Sequence, residues 1–263
     1  MMQGTVAEER NRLDDVLLRA SRGEATFNEL AGELSRLENL VQVMPDGEHE
    51  RLMGEAQATR AGGAVRDVDA LKVTGIKTAD GGFVPWVFTD DALAREFAVG
   101  RGMIEPDGDL PLLIRPPEAV LRDCLVLGQT GLVVDEGSEH KINLPRKVVV
   151  RLYSLMVLER FAALPELHAV ACESHFFYQR SSQGEGMQAF VYDSPDAMRA
   201  GFPRIQERVP ELAVRTVPTR KHVAGLLEAG VTLLVVNPAL DTEMMYNRDD
   251  MVRMTMPDGA VAG

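Results

Sequence analysis

The residues of this sequence best suited to chemistry are two histidines and a cysteine in the segment HAVACESH, His168–His175. Imidazole nitrogens and a thiolate bind zinc, and a cysteine thiolate beside a histidine can act as a nucleophile. If this segment is one continuous strand, His168 and Cys172 share a face while His175 points to the other. The candidate metal-binding or catalytic residues are therefore His168, Cys172 and His175.

These three residues are too few for a complete metal site. A structural zinc ion usually has four nitrogen or sulfur ligands, so Cys124 or His222 would have to come from elsewhere in the chain. A free cysteine is often a core residue, and a half-buried strand is the simpler interpretation of the segment. We therefore predict no catalytic residue, no cofactor and no metal.

Paired acidic residues and paired glycines offer weaker signals. Asp90-Asp91 and Asp249-Asp250 resemble carboxylate pairs that bind metals. The first pair is better explained as the cap and first turn of a helix, and the second as part of a solvated tail. Gly62-Gly63 and Gly81-Gly82 lack the setting of a nucleotide-binding loop and are interpreted as turns.

Methionines are concentrated near the C-terminus, where Met251, Met254 and Met256 lie close together. Methionine-rich surfaces adapt to different partners, so these three residues are candidates for a partner-binding face. The alternation of Val252, Met254 and Met256 predicts an edge strand in the tail, residues 249–263.

The composition favours a soluble protein that does not bind nucleic acid. The 263 residues carry a formal net charge of −12, which repels nucleic acid and attracts a basic partner. The most apolar window, Val148–Leu158, is far shorter than the ~20 residues that span a bilayer. Two cysteines and an N-terminus unlike a signal peptide are typical of a reduced cytoplasm. We predict a cytoplasmic protein without a membrane segment.

The elements that position these residues are organised by a repeat. GQTGLVVDEG at Gly128–Gly137 recurs as GVTLLVVNPA at Gly230–Ala239. From Pro116 onward the two copies keep one offset, because Pro218 corresponds to Pro116 and 218 − 116 = 102. Each copy contains a strand that follows a helix opened by proline. The sequence therefore predicts two units of one kind in tandem.

The predicted organisation is an N-terminal helical arm, two units and a tail. The arm comprises residues 1–23, the first unit residues 24–145 and the second unit residues 146–248. A surface insertion is expected at 47–66, which is rich in glycine, alanine and charge. Within each unit the predicted order is helix, hairpin, helix, strand, helix and hairpin. This pattern favours an α+β fold with mostly antiparallel sheets covered by helices.

The first unit resembles the N-terminal domain of the SseB-like family, named for an enhanced-serine-sensitivity phenotype. In that family a strand ends in Phe-Thr-Ser/Asp, and a later strand ends in Asn-Pro-Gly. Here FVPWVFTDDALAREF (Phe83–Phe97) fits the first motif, and Val236-Asn237-Pro238 fits the second. Asp135-Glu136-Gly137 and Tyr192-Asp193-Ser194 depart from these motifs. The resemblance implies a bacterial cytosolic protein with a binding or accessory role and implies no reaction or cofactor.

Three functional hypotheses follow. The leading one is a non-catalytic protein-binding or adaptor protein, because no nucleophile, base or metal set stands out in the sequence. A second is an inhibitor or immunity protein whose acidic surface meets a basic toxin or enzyme. The third is a metal-dependent or cysteine enzyme that uses His168, Cys172 and His175.

Overall fold

The computed structural model describes residues 3–45, 73–173, 175–180 and 186–256 of the chain. The insertion predicted at 47–66 lies outside the described residues. The chain divides into two compact units, residues 1–149 and 150–263. The described part is an α+β protein, as predicted.

The described helices are α1 (Gln3–Ser21), α2 (Phe27–Arg36), α3 (Asp91–Gly100), α4 (Pro117–Val126), α5 (Arg146–Met156), α6 (Leu158–Ala162), α7 (Pro195–Gln206), α8 (Thr219–Glu228) and α9 (Arg248–Thr255). The described strands are β1 (Leu40–Val43), β2 (Gly75–Lys77), β3 (Phe83–Val87), β4 (Leu112–Arg115), β5 (Gly131–Val134), β6 (Ile142–Pro145), β7 (Glu166–Cys172), β8 (His175–Phe176), β9 (Tyr178–Arg180), β10 (Met187–Tyr192), β11 (Leu212–Pro218), β12 (Val231–Val236) and β13 (Met244–Asn247). None of the described helices is both long and apolar enough to cross a membrane.

In the first unit, β4 pairs with β1, and a single bridge between Val41 and Phe88 joins β1 to the chain just after β3. The strands β2, β3, β5 and β6 form a sheet in that order. Only the β3–β5 pair is parallel among these described strands. The β2–β3 pair is an antiparallel hairpin whose connection contains Gly81-Gly82, the predicted turn.

In the second unit, the strand order is β11-β7-β10-β12-β13, with β8 paired to β7 and β9 to β10. The β10–β12 pair is parallel and the other described pairs are antiparallel. The strand β11 pairs with β7 over its whole length and forms one edge of the described sheet.

Different helices cover the two faces of this second sheet. One face packs against α7 through a cluster that includes Val170, Tyr192, Leu212, Met198 and Phe202. Successive residues of a strand point to opposite faces. Ala171 and its cross-strand partner Phe176 therefore lie on the other face, where the Phe176 ring contacts the ring of His222 in α8 at 4.4 Å between centroids.

Several helix starts follow directly from the sequence. Thr26 and Glu29 form a capping box at the start of α2, in which each side chain bonds the backbone of the other residue. The side chain of Asp90 caps α3 as predicted, and the side chain of Ser194, another favoured cap residue, caps α7. The N-terminal helix α1 is packed through its buried Leu13 and Leu17, so it is part of the fold of the first unit.

Two helix predictions need correction. The nearly continuous apolar residues between Val148 and Leu158 predict one long helix over Arg146–Leu164. The helix is interrupted at Val157, whose φ of −99° and ψ of 2° leave the helical range and separate α5 from α6. The edge strand expected in residues 249–263 is wrong over residues 249–255, because Arg248–Thr255 is the helix α9. A capping box between Asn247 and Asp250 starts this helix and accounts for the difference. Residues 257–263 lie outside the described residues.

Candidate binding cleft

An open cleft lies in the second unit, on the sheet face opposite to α7. Its volume is about 420 Å³, within the range of roughly 300–1,000 Å³ typical of ligand sites. The strands β8 and β9 contribute one wall, and the end of β11 with α8 contributes the other. The described residues that line it are Phe176, Tyr178, Val217, Pro218, Lys221, His222, Gly225 and Leu226.

At neutral pH two polar side chains of the cleft are uncharged and one is cationic. His222 is only 6% exposed, and burial lowers its pKa to about 4, so the imidazole is neutral at pH 7. Burial raises the pKa of the Tyr178 hydroxyl, which therefore stays protonated. Lys221 is exposed and supplies the formal charge among the described lining residues.

The first unit has a closed counterpart of this cleft. At the offset of 102 residues, the matched pairs are Arg115 and Val217, Val120 and His222, Asp123 and Gly225, and Cys124 and Leu226. The four residues of the first unit line a space of only about 10 Å³. The guanidinium of Arg115 and the carboxylate of Asp123, 2.5 Å apart, form an ion pair there. In the second unit, where the cleft is open, Val217 and Gly225 stand in place of this ion pair.

The three candidate catalytic residues lie away from this cleft. His168 and Cys172 are on the α7 face of β7, and His168 Nδ1 lies 3.1 Å from Thr216 Oγ1. The chain turns after Cys172, where Glu173 has a φ of 50°, and Cys172 comes to lie directly opposite His175. Because directly opposite residues share a face, the prediction that His175 points away from Cys172 is wrong.

The structure does not bring these residues together as a three-ligand site. Cys172 follows His168 by four residue steps along the strand, which corresponds to ~13 Å. Within the part of the chain that the structure describes, no three His, Cys, Asp or Glu side chains are placed to hold a metal ion. Cys124 is buried in the first unit, and its thiol donates to the carbonyl of Gly131 over 3.4 Å. Burial raises the pKa of Cys124 to about 12, so this thiol is unreactive at neutral pH.

The methionines predicted to form a binding face are largely internal. Met251 and Met254 are 0% and 2% exposed, because residues three apart share one face of α9. Met256 follows the helix and is half-buried. The hypothesis of an exposed methionine face is therefore wrong for Met251 and Met254, which are core residues.

Asp250 also differs from its prediction as a solvated residue. It is 2% exposed, and its carboxylate accepts a hydrogen bond from the backbone N–H of Asn247 over 2.9 Å. The guanidinium of Arg151 donates two hydrogen bonds to the same carboxylate, one of them over 3.1 Å. Asp250 is therefore a buried structural ion-pair partner.

A buried carboxylate follows β5 in the first unit. Asp135 is fully buried and has a φ of 52°, in the left-handed region. Its two oxygens accept hydrogen bonds from the backbone N–H and the hydroxyl of Thr89, each over 2.8 Å. Burial raises the pKa of Asp135 to about 6 in spite of these hydrogen bonds, and the nearby charges of Asp90 and Asp14 raise it further. A charge in this position lowers the stability of the unit at neutral pH.

The second unit has an amide at the corresponding strand end. Asn237 follows β12, is buried and has a φ of 55°. Its Oδ1 accepts a hydrogen bond from the backbone N–H of Asp193 over 3.1 Å, and its Nδ2 donates to Asp193 Oδ2 over 2.9 Å. Each strand end therefore joins one carboxylate to one neutral side chain. In the first unit the carboxylate is Asp135, at the strand end itself, whereas in the second unit it is Asp193, the partner of Asn237.

A second open space, of about 340 Å³, lies beside Glu136 in the first unit. The Glu136 carboxylate is 2.9 Å from Lys141 Nζ and 3.8 Å from the Arg101 guanidinium. The same guanidinium lies 5.3 Å from the centre of the Phe97 ring. Because these charged groups already contact one another, the cleft of the second unit is the stronger candidate for a ligand.

No motif in the sequence predicts the cleft, but a signal for it is present. At the offset of 102 residues, the charged pair Arg115 and Asp123 is replaced by Val217 and Gly225. The loss of charge and side-chain volume at two matched positions indicates an opening in one unit where the other is filled.

No protein-family model matches the chain, and no curated protein or solved structure is significantly similar to it. The resemblance to SseB-like proteins therefore rests on the motifs quoted above.

Proposed function

We propose that this chain is a non-catalytic protein-binding protein, and that the cleft of the second unit receives a segment of its partner. The observation that supports this function is the opening of the cleft where the first unit has the Arg115–Asp123 ion pair. The cleft has apolar walls and a few polar groups, which is the usual composition of a recognition site.

The edge strand β11 favours a protein segment as the occupant. In the described sheet β11 pairs with β7 alone, so its other side is a candidate for an added strand. Val217 and Pro218, the last residues of β11, also line the cleft. An extended segment that pairs with β11 would therefore lead into the cleft, as in other complexes formed by strand addition.

We further propose that the chain is a duplicated SseB-like protein of the bacterial cytoplasm. The strand orders of the two units match, which supports the duplication. The order is β4-β1-β3-β5-β6 in the first unit, where one bridge joins β1 to the chain just after β3. It is β11-β7-β10-β12-β13 in the second unit. One parallel pair occurs at the same place in each order. The free cysteines Cys124 and Cys172 are compatible with a reduced compartment.

A variant that fills the cleft tests this function. Gly225 lies within α8, and a Cβ added there meets no atom within 4 Å. Gly225→Leu therefore occupies the cleft without disturbing the fold, and it removes a helix-interior glycine, which costs about 1 kcal/mol relative to alanine. Gly32→Leu in α2 is the matched control, because a Cβ at this helix glycine also meets nothing within 4 Å.

The measurement is affinity capture from an extract of the native host cells, with quantitative mass spectrometry. We expect a partner that wild type and Gly32→Leu retain and that Gly225→Leu loses. Equal recovery of every captured protein by Gly225→Leu and Gly32→Leu would contradict a binding role for this cleft.

A further inference from the structure

The polar atoms of the cleft indicate the chemistry of its occupant. His222 lines the cleft, is 6% exposed and contacts the Phe176 ring with its own ring. A neutral imidazole carries one N–H donor and one acceptor nitrogen. A ligand in the cleft can therefore hydrogen-bond to His222 as a donor or as an acceptor.

The mouth of the cleft is cationic, in contrast to the chain as a whole. Among the described residues no carboxylate lies within ion-pair distance of Lys221. The first turn of α8 has no acidic residue, whereas the first turn of α4 contains Glu118. The positive end of the α8 dipole adds to the charge of Lys221. The net charge of −12 predicts a basic partner at long range, but the local field at the cleft favours an anion.

The remaining lining is apolar. Phe176, Val217 and Leu226 supply aromatic and aliphatic surface, and Gly225 leaves room above them. An occupant that fits all these groups combines an apolar side chain with a hydrogen-bonding group and a carboxylate.

We infer that the cleft selects an acidic peptide segment of the partner: an apolar side chain packs on Phe176 and Leu226, a polar group hydrogen-bonds to His222, and an adjacent carboxylate pairs with Lys221. This inference rests on the proposed protein-binding function. It commits to a peptide because Val217 and Pro218, at the end of the edge strand β11, also line the cleft.

The experiment uses a phage-displayed library of short random peptides, selected on the immobilised full-length protein and on four variants. The variants are Gly225→Leu, Gly32→Leu, Lys221→Glu and Lys147→Glu. Lys147 is an exposed lysine of α5, and its reversal changes the net charge by the same amount as the reversal of Lys221. Affinities of enriched peptides are then measured by fluorescence anisotropy at low and high salt.

We expect wild type to enrich peptides that place Asp or Glu beside an apolar residue. Gly225→Leu should lose them and Gly32→Leu should keep them. Lys221→Glu should weaken binding by more than the roughly two- to fivefold expected for loss of an exposed ion pair, because it also adds repulsion. Lys147→Glu should change it little.

The two proposals fail in different ways. If the enriched peptides depend on Gly225 but are basic or uncharged, the inference about the acidic segment is overturned and the binding function stands. If no enriched peptide depends on Gly225, both are overturned. If a small aliphatic carboxylate such as octanoate displaces the peptides completely while no peptide contacts β11 by amide-exchange protection, the cleft is a small-molecule site and the peptide assignment is wrong.

Discussion

The side chain of Asn237 donates a hydrogen bond to the carboxylate of Asp193, with 2.9 Å between Nδ2 and Oδ2. An amide supplies this donor without bringing a second charge into the buried strand end. In the first unit the corresponding interaction is reversed, because Thr89 donates twice to the buried carboxylate of Asp135. The first unit therefore has a buried carboxylate, Asp135, at the position where the second unit has a buried amide, Asn237.

Replacing Asp135 by Asn should stabilise the first unit at pH 7. The amide oxygen can accept from the Thr89 N–H, and the buried charge is removed together with its repulsion by Asp90 and Asp14. A rise of the pKa from about 4 to about 6 corresponds to at most about 3 kcal/mol, so we expect a gain of roughly 1–3 kcal/mol. Urea titration followed by the fluorescence of Trp86, the single tryptophan of the chain, reports on this unit.

The pH dependence of this gain follows from the raised pKa of Asp135. Between its unfolded pKa near 4 and its folded pKa of about 6, the folded state binds more protons than the unfolded state. The contribution of Asp135 to stability is therefore complete below pH ~4 and is lost as the pH rises through 6. The gain in stability of Asp135→Asn over wild type should therefore increase as the pH rises from about 4 to about 6. A variant less stable than wild type at pH 7 would show that the carboxylate is needed.

The reciprocal change, Asn237→Asp, should destabilise the second unit. Two carboxylates would then face each other at residues 193 and 237, and the Nδ2 donor would be lost. We expect a loss of roughly 2–4 kcal/mol at pH 7 that shrinks in acid, when the pair can share a proton. Near-UV circular dichroism of tyrosine reports on this unit, which contains all four tyrosines, Tyr153, Tyr178, Tyr192 and Tyr246. An unchanged unfolding midpoint would contradict the role of the amide.

Local chemistry explains which parts of the fold are predictable from the sequence. Favoured cap residues predict helix starts at Thr26, Asp90 and Ser194, and the turn at Gly81-Gly82 predicts a hairpin. These features depend on neighbouring residues, and all four are present in the structure. The C-terminal segment gave a wrong prediction because the alternation of Val252, Met254 and Met256 is also compatible with a helix. The segment is a helix because Met251 and Met254 share one buried helix face and a capping box of Asn247 and Asp250 starts the helix.

The candidate site depends on distant contacts and could not be predicted in the same way. His222 meets Phe176 through the pairing of β7 with β8, which requires the turn at Glu173. A continuous strand was the simplest prediction for that segment, and it gave His175 the wrong face. The opening of the cleft depends on what is missing at Val217 and Gly225, and motif searches do not detect an absence of charge.

His222 should make the second unit sensitive to acid. Because burial lowers the folded pKa to about 4, the unfolded state binds the proton more readily below pH ~6.5. Stability should fall by about 3 kcal/mol as the pH drops from 6.5 to 4. His222→Leu should remove this loss, since the first unit has the apolar Val120 at the matched position. Tyrosine circular dichroism during denaturation at several pH values tests it, and an equal acid loss in the variant would exclude His222 as its source.

Asp250 should be essential for the stability of the second unit. Asp250→Ala leaves the Arg151 guanidinium without its buried partner and removes the capping bond to Asn247. Breaking a buried ion pair from one side typically costs about 3–5 kcal/mol. Asp249→Ala is the control, because Asp249 is exposed in the same helical turn and should change stability by less than about 1 kcal/mol. Equal effects of the two substitutions in thermal denaturation would contradict the burial of this pair.

The ion pair of the first unit should close the cleft when it is transferred to the second. The double variant Val217→Arg and Gly225→Asp places the Arg115 and Asp123 side chains at their matched positions and leaves the net charge unchanged. We expect the variant to fold and to lose the binding of a neutral apolar dye such as Nile red, because the space falls from about 420 Å³ towards the 10 Å³ of the first unit. The single variant Val217→Arg introduces an unpaired charge and should be less stable than the double variant, with a coupling of roughly 0.5–3 kcal/mol. If the double variant binds the dye as wild type does, the open cleft does not arise from these two positions.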